Sequence, residues 1–232
     1  MDAVKIKLYQ NFVNYRRELS FGYVQTYPLP TPSMVKGMVH SILNLNEFHN
    51  LKISIQGNYS TIVTNMQKVI KFDRKGRYDI PVIVRGAEQS INFGLLFIDL
   101  IADINLILHI QFENPELNEK LYKEIQKKLV ILGRNEDIAR VDDVKIVKIS
   151  KYNKEFELEN NIYLDPQICK KSGIKGTVYR LPFYYENVNS FDDKRIFKYV
   201  DVIYVNSGEE ISDTPILVDE EEDIVSFLSI EN

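Results

Sequence analysis

The first third of the chain alternates between the residue patterns of strands and of a helix. In residues 3–9 apolar and polar side chains alternate, which predicts a first strand. Thr31 is a suitable helix N-cap and Pro32 suits the first helical position, and apolar residues then recur at helical spacing. These signals predict a helix over about 32–44. Renewed alternation in residues 51–56 predicts a second strand.

The middle of the chain contains further apolar, strand-like stretches. Residues 60–72 continue the strand pattern until turn-forming residues interrupt it at 73–81. Two apolar runs follow at 93–100 and 105–112, joined by the sequence IADI. Runs separated by so short a connection predict a β-hairpin. Two aspartates keep the uncharged runs here shorter than the roughly 18 residues of a membrane-spanning helix.

The second predicted helix has clear signals at both ends. Asn114 is a cap, Pro115 occupies the first turn, and an apolar stripe extends to Leu132 before Gly133 ends the helix. Residues 144–149 alternate as a further strand. The order β-α-β-hairpin-β-α-β predicts an α+β fold with the ferredoxin-like βαββαβ arrangement, which RNA-recognition domains use.

Residues 1–150 are therefore interpreted as one ferredoxin-like domain. In residues 151–205 turn signals alternate with aromatic, strand-like runs, and no helix pattern stands out. This predicts a smaller β-rich C-terminal subdomain. Residues 206–232 form an acidic tail that we expect to be flexible over much of its length, and the apolar sequence IVSFLSI near its end is a candidate for docking on the body.

The formal net charge of −4 is distributed unevenly along the chain. Residues 1–90 carry a net charge of +6, whereas residues 206–232 contain nine acidic and no basic residues. Such an asymmetry indicates a basic working surface and an acidic tail. A nucleic-acid ligand is therefore compatible with an acidic protein.

Residue types that build metal and cofactor sites are scarce. Cys169 is the single cysteine, which excludes an internal disulfide and a multi-cysteine zinc site and is typical of a reducing cytoplasm. The three histidines form no metal-binding pair, and no phosphate-binding glycine motif occurs. The N-terminus lacks a signal-peptide pattern. We expect a cytoplasmic protein with no cofactor, no metal site and no catalytic residue.

Residues 68–85 interleave basic and aromatic side chains, as surfaces that bind single-stranded RNA do. Cations there contact phosphates, and rings stack on bases. The candidate RNA-binding residues in this segment are Lys68, Lys71, Arg74, Lys75, Arg77, Tyr78 and Arg85. The alternative is a solvated loop between two strands, and the residues alone favour neither interpretation.

Candidate phosphate contacts also flank the first helix. Arg16 and Arg17 belong to the aromatic connection before it, and Ser33 and Lys36 lie near its N-terminus, where anions bind favourably. Gly37 in the same helix costs roughly 1 kcal/mol relative to alanine. Either it lets RNA or a partner approach closely, or it packs tightly on the sheet.

Two loop sequences supply the remaining candidates. Arg134 and Asn135 follow the second helix, where they either project towards RNA or belong to the loop that leads into the last strand. Arg180 follows the sequence GIKG at 173–176, which has the G-x-x-G spacing of a KH-domain loop. A strand pattern follows it instead of a helix, which favours a tight turn.

Several of these segments, taken in order, resemble one family. They are the proline-rich YPLPTPSMVKGM, the basic β-insertion, LGRNEDIARVDDV, GTVYRLPFYY and RIFKYVDVIYV. The combination resembles the Cas-five family of CRISPR-associated proteins of the RAMP superfamily, and within it the branch of type I-B systems. The resemblance covers roughly residues 3–205.

The resemblance implies a non-enzymatic subunit of a Cascade effector complex in antiviral defence. Such a subunit caps the 5′ handle of the CRISPR RNA (crRNA) and contacts the repeated backbone subunit and the large subunit. It meets target DNA only indirectly and needs no membrane. The resemblance also implies an extended β-hairpin thumb, here about residues 68–90.

Two alternatives to this function remain open. One branch of the family cleaves precursor RNA with a tyrosine and an adjacent Lys-His pair. No Lys-His dipeptide occurs in this chain, which favours binding over cleavage. A metal-independent endoribonuclease is therefore the alternative. A third interpretation is an assembly protein whose acidic tail binds a partner.

Overall fold

The computed structural model describes residues 1–18, 20, 22–74, 80–153, 155–187, 195–212 and 214–230. Its helices are α1 (Pro32–Leu43), α2 (Pro115–Glu124) and α3 (Pro166–Ser172). Its strands are β1 (Asp2–Val13), β2 (Tyr23–Val24), β3 (Leu51–Asn58), β4 (Thr61–Arg74), β5 (Ile80–Val84), β6 (Ala87–Phe112), β7 (Val130–Ile131), β8 (Ile138–Lys148), β9 (Ser150–Tyr152), β10 (Phe156–Glu157), β11 (Asn161–Leu164), β12 (Thr177–Asn187), β13 (Arg195–Val205), β14 (Glu210–Ile211), β15 (Ile216–Val218) and β16 (Ile224–Val225). This mostly antiparallel architecture agrees with the predicted α+β class.

Four antiparallel strands in the order β3-β6-β1-β8 form the centre of the main sheet. In β1, Ile6 lies opposite Leu108 of β6 on one side and opposite Val144 of β8 on the other. The short β7 lies beyond β8, and β11, β13 and β12 extend the sheet beyond β3. The strand alternation read from the sequence thus corresponds to a sheet with two distinct faces.

The hydrophobic core lies between one face of this sheet and the helices α1 and α2. Val4, Ile6 and Leu8 of β1 are fully or almost fully buried there, together with Val39 of α1 and Leu121 of α2. Because alternate residues of a strand face the same side, these contacts fix α1 against the sheet. The opposite side of α1 is left free to line a surface.

The hairpin predicted around the IADI sequence is wrong. β6 is a single strand of 26 residues that pairs first with β4 and then with β1 and β3. Asp99 and Asp103 of this strand accept hydrogen bonds from tyrosine hydroxyl groups of other strands, Asp99 from Tyr23 of β2 at 2.6 Å and Asp103 from Tyr9 of β1 at 2.7 Å. These hydrogen bonds stabilise both carboxylates inside the sheet, and β6 continues through them as one strand.

β4 and its partner half of β6 form a long two-stranded ribbon. The turn at Arg85 and Gly86 joins β5 to the start of β6, with which β5 pairs in antiparallel orientation. Both turn residues have positive φ, 50° and 82°, which suits a two-residue hairpin turn. The ribbon occupies the region of the predicted β-insertion, of which residues 75–79 lie outside the described residues.

Helix α2 is shorter than predicted. It begins after the Asn114 cap but ends at Glu124 instead of continuing to Gly133. Val130 pairs with Ala139 of β8, so strand pairing replaces the last predicted turns. β-branched residues next to a strand edge favour this outcome over a frayed helix end.

The expectation that residues 151–205 contain no helix is wrong. α3 starts at the Asp165 cap, whose carboxylate accepts the Gln167 amide at 2.7 Å, and ends at Gly173 in the left-handed conformation. At seven residues it is too short to show an apolar period in the sequence. Among the described residues, no helix has the length and apolar character needed to cross a membrane.

The acidic C-terminal segment, described over residues 206–212 and 214–230, is packed onto the body, so the prediction of a largely flexible tail is wrong. Ile216 and Ile224 are buried in a second hydrophobic cluster, and Leu228 exchanges backbone hydrogen bonds with Ile53 of β3. Apolar residues interspersed among the acidic ones provide the burial that a purely charged tail lacks.

This C-terminal segment covers the sheet face opposite α1 and α2. Lys5 is 1% exposed on that face, and its ammonium group contacts Asp219, Glu221 and Asp223. Lys145 lies directly opposite Lys5 on β8 and also pairs with Glu221. The acidic residues therefore neutralise lysines of the sheet and cover Lys5, whereas the side chain of Lys145 stays 48% exposed.

Candidate nucleic-acid interface

A cleft of about 780 Å³ lies along the side of α1 that faces away from the core. Its walls come from α1, from the connection between α1 and β3, and from the paired strands β12 and β13. We call it the α1 cleft; its lining includes Lys36, Gly37, His40, Phe48, Tyr184 and Phe197. It combines basic and aromatic side chains in one concave surface.

The local sequence of α1 determines which residues reach the cleft. The Thr31 hydroxyl caps the helix by accepting the Met34 amide at 3.4 Å, and Pro32 occupies its first turn. Val39 faces the core. With 3.6 residues per turn, Gly37 and His40 fall on the side away from the core-facing residues, and Lys36, three residues before Val39, lies between the two sides.

Gly37 is exposed and lines the cleft, so its interpretation as a residue packed on the sheet is wrong. A Cβ atom added at Gly37 would meet no heavy atom within 4 Å. The glycine therefore leaves open space in the wall of the cleft. Close approach of a ligand is the interpretation that this geometry favours.

Lys36 provides the positive charge of the cleft. The residue is 6% exposed, and its Nζ atom has no hydrogen-bond partner among the described residues. Its nearest aromatic neighbours are Phe48, with the ring centre at 3.6 Å, and Tyr184, with the ring centre at 5.1 Å. Burial lowers the pKa of Lys36 to about 8. Among the described residues, this cation therefore has no carboxylate partner.

His40 lies one helical turn further along α1. Burial, with the nearby charges of Lys36 and His49, lowers the pKa of His40 to about 4. Its Nε2 atom is buried and unpartnered within the described structure. A neutral imidazole in this state can donate or accept one further hydrogen bond, depending on its tautomer.

The aromatic wall of the cleft is formed by β12 and β13. Tyr185 and Phe197 are 43% and 39% exposed, and their ring centres are 5.8 Å apart. Glu186 beside them pairs with Lys198 at 3.4 Å, which offsets its negative charge. Exposed rings next to a cation are the combination that binds nucleobases and phosphates in single-stranded nucleic-acid sites.

Two predicted arginines lie near β12, outside this lining. The Arg17 guanidinium is 5.4 Å from the centre of the Tyr27 ring and 5.9 Å from that of Tyr179. Arg180 lies over Tyr199 at 5.6 Å. These are cation–π contacts, and they form a second group of basic and aromatic side chains.

The predicted ribbon residues that the structure describes are not part of the cleft lining. Lys68 of β4 lies over Phe93 at 4.0 Å, and Arg85 is exposed at the turn before β6. Lys71 and Arg74 belong to β4, opposite Asn92 and Gln89 in the register. Outside the described residues lie Lys75, Arg77 and Tyr78.

Arg134 is engaged in contacts within the protein. Its guanidinium donates to both carboxylate oxygens of Asp137 at 2.7 and 3.0 Å and pairs with Glu136 at 3.1 Å. Asp137 is buried and also accepts the Asn14 amide. These contacts favour the interpretation that Arg134 belongs to a structural loop. The side chain of Asn135 in this loop is exposed.

Arg16, another predicted residue, donates a hydrogen bond to the Ser20 carbonyl at 3.2 Å.

Of the residues predicted from sequence, Ser33 and Lys36 are the two that meet in the α1 cleft. Sequence reasoning missed Phe48, Tyr185 and Phe197, which complete it. The adjacent aromatics FYY at the end of β12 were a usable signal, because neighbouring strand residues face opposite sides and cannot all be core. Among the described residues no group of three or more side chains could hold a metal ion.

This chain is similar to several chains of known structure, and the first of them shares its fold. A chain of a CRISPR RNA-guided surveillance complex aligns with 97% of this chain and 94% of its own length, with a TM-score of 0.58 and 10% identity. A CRISPR protein from Archaeoglobus fulgidus aligns over 99% of this chain and 100% of its own, with a TM-score of 0.46 and 11% identity. A chain of a type III-B Cmr-beta complex bound to cognate target RNA aligns over 89% and 85%, with a TM-score of 0.48 and 13% identity.

The sequence itself matches one protein family over most of its length. The family model described as CRISPR-associated protein (Cas_Cas5) matches residues 3–197. The chain therefore belongs to the Cas-five family of CRISPR-associated proteins, which confirms the resemblance at the family level. No curated protein matches the sequence significantly. Family and fold together support a role as a subunit of a CRISPR effector complex.

Proposed function

We propose that this protein is the crRNA-binding subunit of a type I Cascade complex, of the I-B-like branch, and that it holds the 5′ handle without cleaving it. The family match over residues 3–197 carries the proposal. The α1 cleft adds a site whose cation and exposed rings suit RNA. Backbone and large subunits of the complex are the proposed protein partners.

The topology supports a ferredoxin-like core in this proposal. The antiparallel order β3-β6-β1-β8, with α1 and α2 on one face, is the order expected of a βαββαβ unit. The ribbon of β4 and β6 would be the thumb, with Lys68 on its surface. The opposite sheet face is covered by the C-terminal segment, so RNA would bind on the helix side or along the ribbon.

Binding to repeat-derived RNA tests this function. Labelled RNA that contains the 5′ handle should bind more tightly than unrelated RNA of equal length, and its affinity should fall with salt. The triple variant Lys71→Ala, Arg74→Ala, Arg77→Ala should lower the magnitude of the salt slope by about 2, because each phosphate contact on a single strand contributes about 0.7.

A charge-matched control separates the ribbon from general electrostatics. Replacing three exposed lysines, Lys123 of α2, Lys127 of the turn after it and Lys171 of α3, removes the same charge elsewhere. An equal change of slope in both triple variants would contradict the thumb assignment. A wild-type protein without preference for the handle RNA would contradict the function.

A metal-independent endoribonuclease is the second candidate, favoured by one observation. Lys36, His40 and Tyr184 line the same cleft, and His40 has an unpartnered ring nitrogen and a low pKa. A neutral imidazole near a cation could take the proton of a ribose hydroxyl. Incubating labelled repeat RNA with the protein in EDTA distinguishes the two candidates. Specific cleavage that is lost in His40→Ala would favour the endoribonuclease over binding alone.

A further inference from the structure

We propose that the α1 cleft receives a single nucleotide of the bound RNA, with a phosphate oxygen accepting a hydrogen bond from Lys36 and the base lying against Tyr185 and Phe197. The inference rests on the proposed RNA-binding function. In this arrangement Lys36 and two aromatic rings contact the nucleotide, and Phe48 moves to admit it.

The phosphate part follows from the state of Lys36. Its Nζ atom is buried beside the cleft, and neither a carboxylate nor a hydrogen-bond acceptor of the described residues reaches it. A buried cation is unfavourable unless it is paired, so its natural complement is an anion. A phosphate oxygen would form a charge-assisted hydrogen bond, which is stronger than a neutral one.

Phe48 occupies the position next to Lys36 until the ligand arrives. The ring covers the ammonium group at 3.6 Å, yet the residue remains 53% exposed. Turning the ring away gives up its cation–π contact with Lys36 and its contact with Tyr184, whose ring centre lies 4.8 Å away. The phosphate then replaces a cation–π contact by a hydrogen-bonded ion pair, which favours the exchange.

The base part follows from the neighbouring wall. Tyr185 and Phe197 present two exposed rings at a centre-to-centre distance of 5.8 Å, and stacking on such rings tolerates any base. The opening above Gly37 gives the sugar and phosphate room to approach α1. An acidic peptide could also pair with Lys36, but it would leave the aromatic wall unused.

The size of the cleft indicates one nucleotide and not a long tract. Its volume of about 780 Å³ lies within the roughly 300–1,000 Å³ of sites that enclose one small ligand. Among the described residues, the basic lining consists of Lys36 and His40, which offer one phosphate position. Neighbouring nucleotides would then contact Arg17, Arg180 or the ribbon.

Fluorescence anisotropy with a labelled single-stranded RNA tests the phosphate contact in the full chain. Lys36→Met should weaken binding roughly tenfold or more, as expected for one charge-assisted hydrogen bond. Lys123→Met is the matched control, because Lys123 is an exposed lysine on α2 whose ion pair with Glu119 lies elsewhere. It should change the affinity less than about twofold.

Nuclear magnetic resonance with uridine 5′-monophosphate, uridine and inorganic phosphate tests the two halves of the nucleotide separately. The monophosphate should shift the side-chain signals of both Lys36 and Phe197 and bind more tightly than uridine or phosphate alone. Equal affinities for phosphate and the monophosphate would overturn the stacked base. Shifts that avoid both residues would overturn the site.

The outcomes separate this inference from the function on which it rests. If wild type binds RNA and Lys36→Met binds as tightly as Lys123→Met, the cleft proposal is overturned and the function stands. If wild type fails to bind RNA, the function fails and the inference fails with it. If Lys36→Met keeps its RNA affinity but loses a partner subunit in a pull-down assay, the cleft binds a protein segment and the nucleotide proposal is wrong.

Discussion

The ammonium group of Lys36 lies 3.6 Å from the centre of the Phe48 ring and has no hydrogen-bond partner within the described structure. A charge placed in this way weakens the folded state, because burial removes water without supplying an anion. A ligand that brings the anion explains why the position holds lysine. Replacing Lys36 therefore shows how much the buried charge lowers the free energy of unfolding in the absence of ligand.

Lys36→Met should raise the free energy of unfolding at pH 7 by on the order of 1–2 kcal/mol, since it removes a desolvated charge and keeps the side-chain volume. Burial lowers the pKa of Lys36 to about 8 from 10.5. Between pH 8 and pH 10.5 the unfolded chain binds more protons at Lys36 than the folded chain does. The free energy of unfolding of the wild type therefore rises with pH over this range, while that of Lys36→Met lacks this contribution. The advantage of Lys36→Met should vanish towards pH 10.5.

Urea unfolding of both proteins at pH 7, 9 and 10.5 checks this expectation. The other titratable groups around the cleft, His40, His49, Tyr184, Tyr185 and Glu186, are present in both proteins, so their own titration largely cancels in the difference. A stability difference that stays constant over this range would show that Lys36 titrates normally.

Gly37→Ala should stabilise the protein and weaken its ligand binding. Alanine is favoured over glycine in a helix by roughly 0.5–1 kcal/mol, and the added methyl group meets no atom within 4 Å. The same methyl group narrows the opening of the α1 cleft. Thermal unfolding and RNA anisotropy measure the two effects. Ser41→Ala, on an exposed position of the same helix, is the control and should leave RNA affinity unchanged.

Asp219→Asn should destabilise the protein by about 3–5 kcal/mol, the usual cost of breaking a buried ion pair. Asp219 faces Lys5 and His109 with one carboxylate oxygen and accepts the Glu221 and Asp223 amides with the other. Hydrogen bonds from His109 and Lys5 keep the pKa of Asp219 well below its usual range despite its burial. Chemical denaturation measures the loss.

The matched control for Asp219 is Glu220→Gln. Glu220 is exposed next to Asp219 in sequence, and its removal costs the same formal charge. A surface change of this kind is expected to stay within about 0.5 kcal/mol. Similar effects of the two variants would mean that net charge, and not the buried contact with Lys5, holds the C-terminal segment in place.

Arg134→Ala should lower stability by about 2–4 kcal/mol, because it leaves the buried Asp137 carboxylate without its guanidinium. Asn135→Ala, at the exposed neighbouring position, should change stability little. Differential scanning calorimetry and RNA binding are measured on both variants. An Arg134→Ala protein of unchanged stability but reduced RNA affinity would assign this arginine to RNA instead of to the loop.

Patterns of local origin were predictable from the sequence. The N-cap at Thr31, the proline after it and the apolar spacing gave α1 almost to its observed bounds. The same holds for the start of α2 at its asparagine cap. These signals depend on residues a few positions apart, and they need no knowledge of the rest of the fold.

Features that depend on distant partners were not predictable. The IADI sequence resembles a turn unless Tyr9 is known to reach Asp103 from a neighbouring strand. The acidic C-terminal segment resembles a disordered tail unless Lys5 and Lys145 are known to face it. In both cases a charge is stabilised by residues far away in sequence, which a local pattern does not show.

The site was predictable in the same partial way. Ser33 and Lys36 follow from the rule that anions bind near helix N-termini. Their aromatic partners Tyr185 and Phe197 come from strands about 150 residues later, and only the folded sheet places them beside α1. The basic segment 68–85 remains a prediction whose central residues lie outside the described structure.

The contact between Lys5 and Glu221 spans 216 residues, and it has a consequence for synthesis in the cell. At translation rates of roughly 5–20 residues per second, the acidic residues that pair with the lysines of β1 are synthesised roughly 10–40 s after β1. During that interval the ribosome-bound chain presents bare lysines on an incomplete sheet, close to ribosomal and messenger RNA. This face of the sheet therefore completes its folding late. Premature termination would release a truncated chain whose unpaired lysines bind nucleic acid.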